Sequence, residues 1–256
     1  MHDLHAHLLP GIDDGPQDEA AAVDMARAAE ADGVRVMAAT PHLRRDHPGV
    51  VPAELAGRVA ALQRTLDEEG IGVRVVQGGE ADVFWAHNAP GDALRAGSYG
   101  GAGHDLLVET PYGAVPPVFE DLLFGLTVKG YRLLLAHPER SDAFRREPGR
   151  LAALVDRGVL VQVTASALAG PRSSRSRRFA HALIREGRAH VIASDGHGAG
   201  LGRPPLSAGL EAARSLDPAR ARWMVEDAPA AILAGEPLPP MPGVDRRPSG
   251  WWRRRA

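Results

Sequence analysis

One unit recurs along this chain and limits what it can fold into: a short apolar run, a loop opening on a histidine or a carboxylate, then an amphipathic stretch. The runs are Met1 to His7, Val34 to Ala39, Gly72 to Val76, Leu106 to Glu109, Tyr131 to Leu135, Val159 to Val163 and His190 to Ser194. Short and largely apolar, they read as seven strands. Apolar residues at helical spacing mark Gln17 to Asp32, ended by Gly33, and Pro52 to Glu69, ended by Gly70. Further helices are expected at Pro117 to Lys129, Gly149 to Asp156, Arg172 to Arg185, Leu206 to Leu216 and Ala219 to Leu233, with an irregular stretch from Ala86 to Gly103. Strands joined through helices return parallel, so the class is α/β, and seven strand candidates favour a barrel over an open doubly wound sheet. Residues 1–235 are expected to form this one domain. The tail 236–256 is proline-rich, ends Trp251-Trp252-Arg253-Arg254-Arg255-Ala256 and lacks periodicity, so it is expected to be disordered.

The polar residues keep the same register. His5 and His7 end the first run, and alternation along an extended segment points both imidazoles at one spot, with Asp3 on the same face to orient a ring. Asp14 lies in the loop that follows. His42 follows the second run, Glu80 the third, Glu109 ends the fourth, His137 follows the fifth, and Asp195 and His197 follow the seventh. In a parallel barrel these positions converge at the C-terminal rim, where active sites are built. The set is too large for one ion with four to six ligands, so two or three metals are implied. Closely spaced metals generate a bound hydroxide and clamp the oxygens of an in-line displacement, which suggests hydrolysis of a phosphoester. Arg140, just beyond His137, and Arg203, in the loop after His197, are placed to hold phosphate through their guanidinium forks.

Composition removes several function classes. Lys and Arg number 30 against 32 Asp and Glu, a net charge of -2, so no global field marks a nucleic-acid binder. No apolar run is long enough to span a bilayer, and histidines and aspartates stand where a signal peptide would be basic and then apolar, so the chain is expected in the cytoplasm. There is no cysteine. That excludes disulfides, thiolate metal ligands and every cysteine-nucleophile mechanism.

His5-Ala6-His7, Asp13-Asp14-Gly15, His42, Glu80, Val108-Glu109, His137-Pro138-Glu139-Arg140, Ile192-Ala193-Ser194-Asp195-Gly196-His197 and Gly202-Arg203-Pro204-Pro205 together resemble the polymerase-and-histidinol-phosphatase (PHP) superfamily. Within it the chain resembles the manganese-dependent bacterial tyrosine-protein phosphatases of capsule and exopolysaccharide operons, the CpsB/YwqE type. The resemblance runs from Met1 to about Leu233. It implies a distorted (β/α)7 TIM-like barrel holding three Mn2+ ions. One ion would take His5, His7, Glu80 and Asp195, a second Glu80, Glu109 and His137, and a third Asp14, His42 and His197, with Arg140 and Arg203 on the phosphate. The implied partner and substrate is the phosphotyrosine tail of a bacterial tyrosine autokinase. The segment Phe84 to Gly103, the loop Gly196 to Gly202 and the Trp/Arg tail depart from the family pattern and bear on substrate and partner more than on metals.

A tyrosine phenolate has a pKa near ~10, so as a leaving group it needs little help from a general acid. Other readings stay open on the residues alone: a histidinol-phosphate or nucleotide phosphatase, an amidohydrolase-like enzyme with no need of the arginines, and a non-catalytic protein that binds a kinase tail. His2, His47, His87, His104, His181 and His190 are read as surface or structural, with Arg45 and His47 near enough to the His42 loop to touch a substrate.

Overall fold

The first helix shows how far local sequence sets the elements. Asp18 stands outside it in extended conformation and accepts from the Ala21 amide, while Glu19 places a negative charge in the first turn. The helix runs Glu19–Ala31 and buries Ala22, Val23, Met25 and Ala26. Asp82, Thr164, Ser174 and Asp217 cap later helices in the same way. This computed structural model describes residues 1–111, 113–199 and 205–243.

The described strands are β1 (His2–Ala6), β2 (Val36–Ala39), β3 (His42–Leu43), β4 (Arg74–Gln77), β5 (Glu80–Ala81), β6 (Asp105–Glu109), β7 (Arg132–Ala136), β8 (Leu160–Thr164) and β9 (Val191–Ala193). They form two sheets, β1-β2-β4 and β3-β5-β6-β7-β8-β9, with every pair parallel. Two of the expected runs are each followed by a second short strand not expected from the sequence. After the second the chain leaves its ladder at Thr40-Pro41, where Pro41 has no amide to give, and resumes as β3. After the third the break is at Gly78-Gly79, where a Cβ on Gly79 would lie 2.4 Å from Leu43 Cδ1, and the chain resumes as β5. Each break hands the end of a strand to the second sheet, so the ladders do not close into the single ring expected from the sequence. The fold is a mixed α/β one with parallel sheets. Its two sheets meet again at the far edge, where the Asp195 amide donates to His5 O and the His7 amide to Gly196 O, both at 2.8 Å.

Buried apolar side chains fall into two clusters. The larger lies between strands and helices and includes Met25, Leu66, Val108, Phe119, Leu135, Phe144 and Ile192. The smaller gathers Leu4, Ala38, Leu107, Leu134, Ala136, Leu160, Val191 and Ala193 from the opposite faces of the strands. It forms an apolar floor beneath the polar strand ends.

Three expectations change. The stretch 86–103 is mostly helical, with helices Val83–Asn88 and Gly91–Gly97, because Asp82 caps the first and Pro90 precedes the second with its φ already set. The last helix divides into Pro218–Trp223 and Asp227–Ala234. Packing also continues past Gly235: Leu238 and Met241 sit against the core, and Arg220 donates to the carbonyls of Pro242 and Gly243. Residues 236–243 of the tail expected to be disordered are therefore packed on the fold, and residues 244–256 lie outside the described residues. Among the described residues no helix is long and apolar enough to cross a membrane.

Candidate metal centre

β1 carries one residue more than its neighbour. Asp3 pairs with Met37 and Ala6 with Ala39, three steps on β1 against two on β2. This bulge suspends strict alternation. Leu4 joins the inner apolar floor, and His5 beside it still reaches Gln162 and Glu80. Side chains satisfy the backbone groups that the bulge displaces. The Tyr99 hydroxyl donates to Leu4 O at 2.8 Å, Asp3 Oδ1 accepts the His5 amide at 3.3 Å and the Ser194 amide at 3.0 Å, and Thr40 Oγ1 accepts the Ala6 amide at 3.1 Å. Each would cost about 1–3 kcal/mol if buried unpaired. Asp3 thus supports backbone and orients no imidazole, contrary to the expectation from alternation. Its side chain lines a cavity with Met25, Ala29 and Met37.

Other residues orient the rings. His7 Nδ1 lies 2.7 Å from Asp13 Oδ2, which also accepts the His42 amide at 3.1 Å, while Asp13 Oδ1 accepts the Gly15 amide at 3.0 Å. Gly15 is required here, since a Cβ would meet His7 O at 2.4 Å. His5 Nδ1 lies 3.1 Å from Gln162 Oε1, which accepts the His137 amide at 3.2 Å. With Nδ1 donating, each Nε2 is left as an acceptor facing the centre. Sequence reasoning missed both partners. Asp13 was overshadowed by Asp14, and Gln162 left only the trace of one polar residue inside an apolar run.

Glu80 is the hub. Its Oε2 lies 3.4 Å from His5 Nε2, 3.5 Å from His7 Nε2 and 3.2 Å from His42 Nδ1, and its Oε1 lies 2.9 Å from His137 Nε2. Asp195 Oδ1 lies 3.3 Å from His5 Nε2 and 3.6 Å from His7 Nε2. Asp14 Oδ1 lies 3.5 Å from His42 Nε2 and 3.4 Å from His197 Nε2. Three overlapping ligand groups result: His7, Asp14, His42 and His197; His5, His7 and Glu80; and His5, His137 and Asp195. His5 Nε2, His7 Nε2 and His42 Nδ1 are buried without a hydrogen-bond partner. Two ligands each about 2.1 Å from one ion stand about 3.0–3.4 Å apart, so this spacing suits shared cations and the nitrogen-oxygen donor set suits divalent transition metals. His137 at φ 37° and Asp195 at φ 52° hold left-handed backbone at this spot, a strain of the sort that functional sites retain.

The electrostatics of these side chains agree. Burial opposes charge on His5, yet Glu80 and Asp195 raise its pKa; burial likewise opposes charge on His7, yet bonding to Asp13, Asp195 and Glu80 raises it well above the usual imidazole value. Burial would raise Glu80, but His5 and His137 hold it well below the usual carboxylate range, and Asp195 is held low by His5, His7 and Arg140. Burial takes His42 down to about 4, and burial and His7 lower His197. Burial and Glu80 push Glu109 up to about 7. Protons on the inner histidines thus stand where cations would compensate the carboxylates.

Arg140 donates to Asp195 Oδ2 and, at 3.4 Å, to Ser166 Oγ, so it borders the centre. Glu109 belongs to none of the three groups; Arg44 Nη1 holds both its oxygens, at 3.2 and 3.0 Å. Arg203 lies outside the described residues. His47 stacks on His42 with ring centroids 4.9 Å apart, which places it beside the site, and the His190 ring accepts the Val161 amide at 3.1 Å, a structural role.

The family described as "Capsular polysaccharide synthesis, CpsB/CapC" matches residues 1–234. The chain belongs to this family. Among relatives of this CpsB/CapC member, tyrosine-protein phosphatase YwqE of Bacillus subtilis is 34% identical over 197 residues, 77% of each chain. Tyrosine-protein phosphatase CpsB of Streptococcus pneumoniae is 23% identical over 221 residues, 80% of this chain and 86% of that one. The fold also superposes with a TM-score of 0.80 and 30% identity on a solved chain from work described as crystal structures of YwqE from Bacillus subtilis and CpsB from Streptococcus pneumoniae, "unique metal-dependent tyrosine phosphatases". That match covers 93% of this chain and 96% of the other.

Proposed function

We propose that this CpsB/CapC member is a metal-dependent protein-tyrosine phosphatase acting in the cytoplasm on the phosphotyrosine tail of a bacterial tyrosine autokinase that governs capsule or exopolysaccharide synthesis. The observation that carries the reading is the convergence of His5, His7, His42, His137 and His197 on Glu80, Asp195 and Asp14, with Arg140 alongside. We take the ligands as His5, His7, Glu80 and Asp195 for one ion, Glu80, Glu109 and His137 for a second, and Asp14, His42 and His197 for a third, with Mn2+ as the metal. The inner apolar floor and the β9-to-β1 hydrogen bonds support reading the two sheets as a distorted (β/α)7 barrel.

Bound divalent ions would lower the pKa of water in the site and supply Lewis-acid charge. The chain's own residues do the rest. Asp13 and Gln162 fix His7 and His5 as Nδ1–H tautomers. Arg140 offers guanidinium donors to phosphate oxygens as charge builds on them, and Arg203 is assigned the same task. Asp195 and Ser166 hold the Arg140 fork in place. The phenolate leaves without a dedicated acid.

The test is hydrolysis of a phosphotyrosine peptide against phosphoserine, histidinol phosphate and nucleotides, with Mn2+ and with chelator, for the wild type and His42→Ala. We expect Mn2+-dependent release that prefers phosphotyrosine, is abolished by chelator and is crippled by the substitution. Preference for a small phosphate would move the chain to another branch of chemistry; no hydrolysis with any metal would end the reading.

A further inference from the structure

The helix Arg175–Arg185 opens on charge of the wrong sign for a helix start. Helices that follow parallel strands run back down the fold, so the start of this one stands at the rim, where β8 ends at Thr164. Arg172, Arg175, Arg177 and Arg178 crowd that start, its first turn carries no acidic residue, and no Asp or Glu occurs between Asp156 and Glu186. Such charges oppose the helix dipole and repel one another at i,i+3 spacing. Two contacts join this corner to the Arg140 side of the centre. Arg145 Nη1 donates to Glu139 O at 2.8 Å and to Ser176 Oγ at 3.2 Å, which ties the helix to the turn Pro138–Arg140, and Ser166, in the segment leading to the helix, meets Arg140. Arg146 adds a further exposed charge from the helix Asp142–Arg146, where Asp142 is taken up by Arg145 and Glu147 is exposed. Among the described residues Arg146, Arg172 and Arg175 form no ion pair and no side-chain hydrogen bond.

We propose that Arg146, Arg172 and Arg175 form a docking strip for an acidic peptide segment, so that the site takes phosphotyrosine from an acid-flanked chain in preference to a neutral one. The proposal rests on the phosphatase reading above and adds to it the kind of sequence that surrounds the phosphotyrosine. The whole chain has a net charge of -2, so the excess at this corner is local. No internal partner offsets what these side chains cost the fold, and a local conflict of that kind belongs to a surface that serves function. The distance also fits. One arginine side chain, that of Arg145, spans from the turn carrying Arg140 to the helix start, while an extended peptide advances about 3.3 Å per residue, so groups a few residues from a phosphotyrosine held by Arg140 reach the strip. Glutamate, aspartate and a second phosphotyrosine offer the same anionic oxygens to a guanidinium fork.

The test compares the Mn2+-loaded wild type with Arg146→Gln/Arg172→Gln/Arg175→Gln and with Arg35→Gln/Arg64→Gln/Arg74→Gln. The second variant removes equal charge from exposed positions elsewhere, Arg35 and Arg74 lying at the other ends of the strands. Turnover is measured on p-nitrophenyl phosphate and on phosphotyrosine peptides with neutral, Glu-rich or second-phosphotyrosine flanks. A labelled Glu-rich peptide without phosphate is titrated by fluorescence anisotropy at low and high salt, with a single-stranded oligonucleotide beside it. We expect the rim variant to melt no lower than the wild type, to raise KM about tenfold for both acidic peptides at unchanged kcat, and to weaken the Glu-rich peptide as much at low salt only. The neutral peptide, p-nitrophenyl phosphate and the other variant should stay within about twofold. Equal losses on neutral and acidic peptides, or the same loss in both variants, would overturn the proposal; so would tighter binding of the oligonucleotide than of the Glu-rich peptide. A response to the second phosphotyrosine alone would support the strip with phosphate as its anion. Absence of hydrolysis in every protein would remove the phosphatase reading, while the anisotropy comparison would still decide the strip.

Discussion

Asp13 shows what a single residue contributes to this centre without touching its middle. One carboxylate accepts from the His7 ring, the His42 amide and the Gly15 amide, so it fixes a tautomer and two loop backbones at once. Partners of this sort are worth about 10–100-fold in metal affinity, and Asp13→Ala should weaken Mn2+ binding by that factor in calorimetry. Arg140→Ala should lower kcat/KM on a phosphotyrosine peptide about 10²–10³-fold while metal per chain stays at the wild-type count. The pH dependence follows from the inner histidines. In the metal-free fold His5 and His7 are raised above the unfolded value, so their charged forms stabilise that fold at low pH and the contribution fades as pH rises through the raised values. Metal must displace those protons, and below about 7 it must also displace one from Glu109. The gain in Tm from added Mn2+ should therefore be larger at pH 8 than at pH 6. An equal gain at both would show that the protons and the metal do not share these ligands.

At the scale of elements, the bulge in β1 is what lets His5 and His7 both face the centre although Leu4 between them and Asp3 also faces inward. Its cost is contained by the Tyr99 hydroxyl, which reaches Leu4 O from a turn almost a hundred residues away in the chain. Tyr99→Phe removes that buried hydrogen bond and should lower unfolding free energy by about 1–3 kcal/mol in urea, with Mn2+ affinity reduced as well. Loss of stability with no change in affinity would separate the bulge from the centre. The breaks at Pro41 and Gly78-Gly79 act alongside it, because they turn the segments carrying His42 and Glu80 into the second sheet, where those residues pair in register.

For the whole molecule, the segment after the last helix belongs to the fold. Leu238 and Met241 pack on the core, Arg132 donates to Glu236 O, and Arg220, itself buried, reaches Pro242 O and Gly243 O. A chain ended at Gly235 should melt about 4–8 °C below one ended at Gly243, the shift expected from roughly 2 kcal/mol of lost burial and bonding in a domain of this size. Equal melting temperatures would mean that the segment only rests on the surface.

The sequence by itself determined the strand-and-helix alternation, the α/β class with parallel strands and the family. It also placed His5, His7, His42, Glu80, His137, Asp195 and His197 at strand ends and Asp14 in the loop after the first, because apolar periodicity and loop-opening residues are local signals. Tertiary structure alone decided the breaks in two strands, the bulge in β1, the helices within 86–103, the tautomer partners Asp13 and Gln162, and the capture of Glu109 by Arg44. These depend on which backbone groups lack a partner and which side chains meet across 65 or 157 residues of chain. A single sequence carries no record of such distances until the fold closes them.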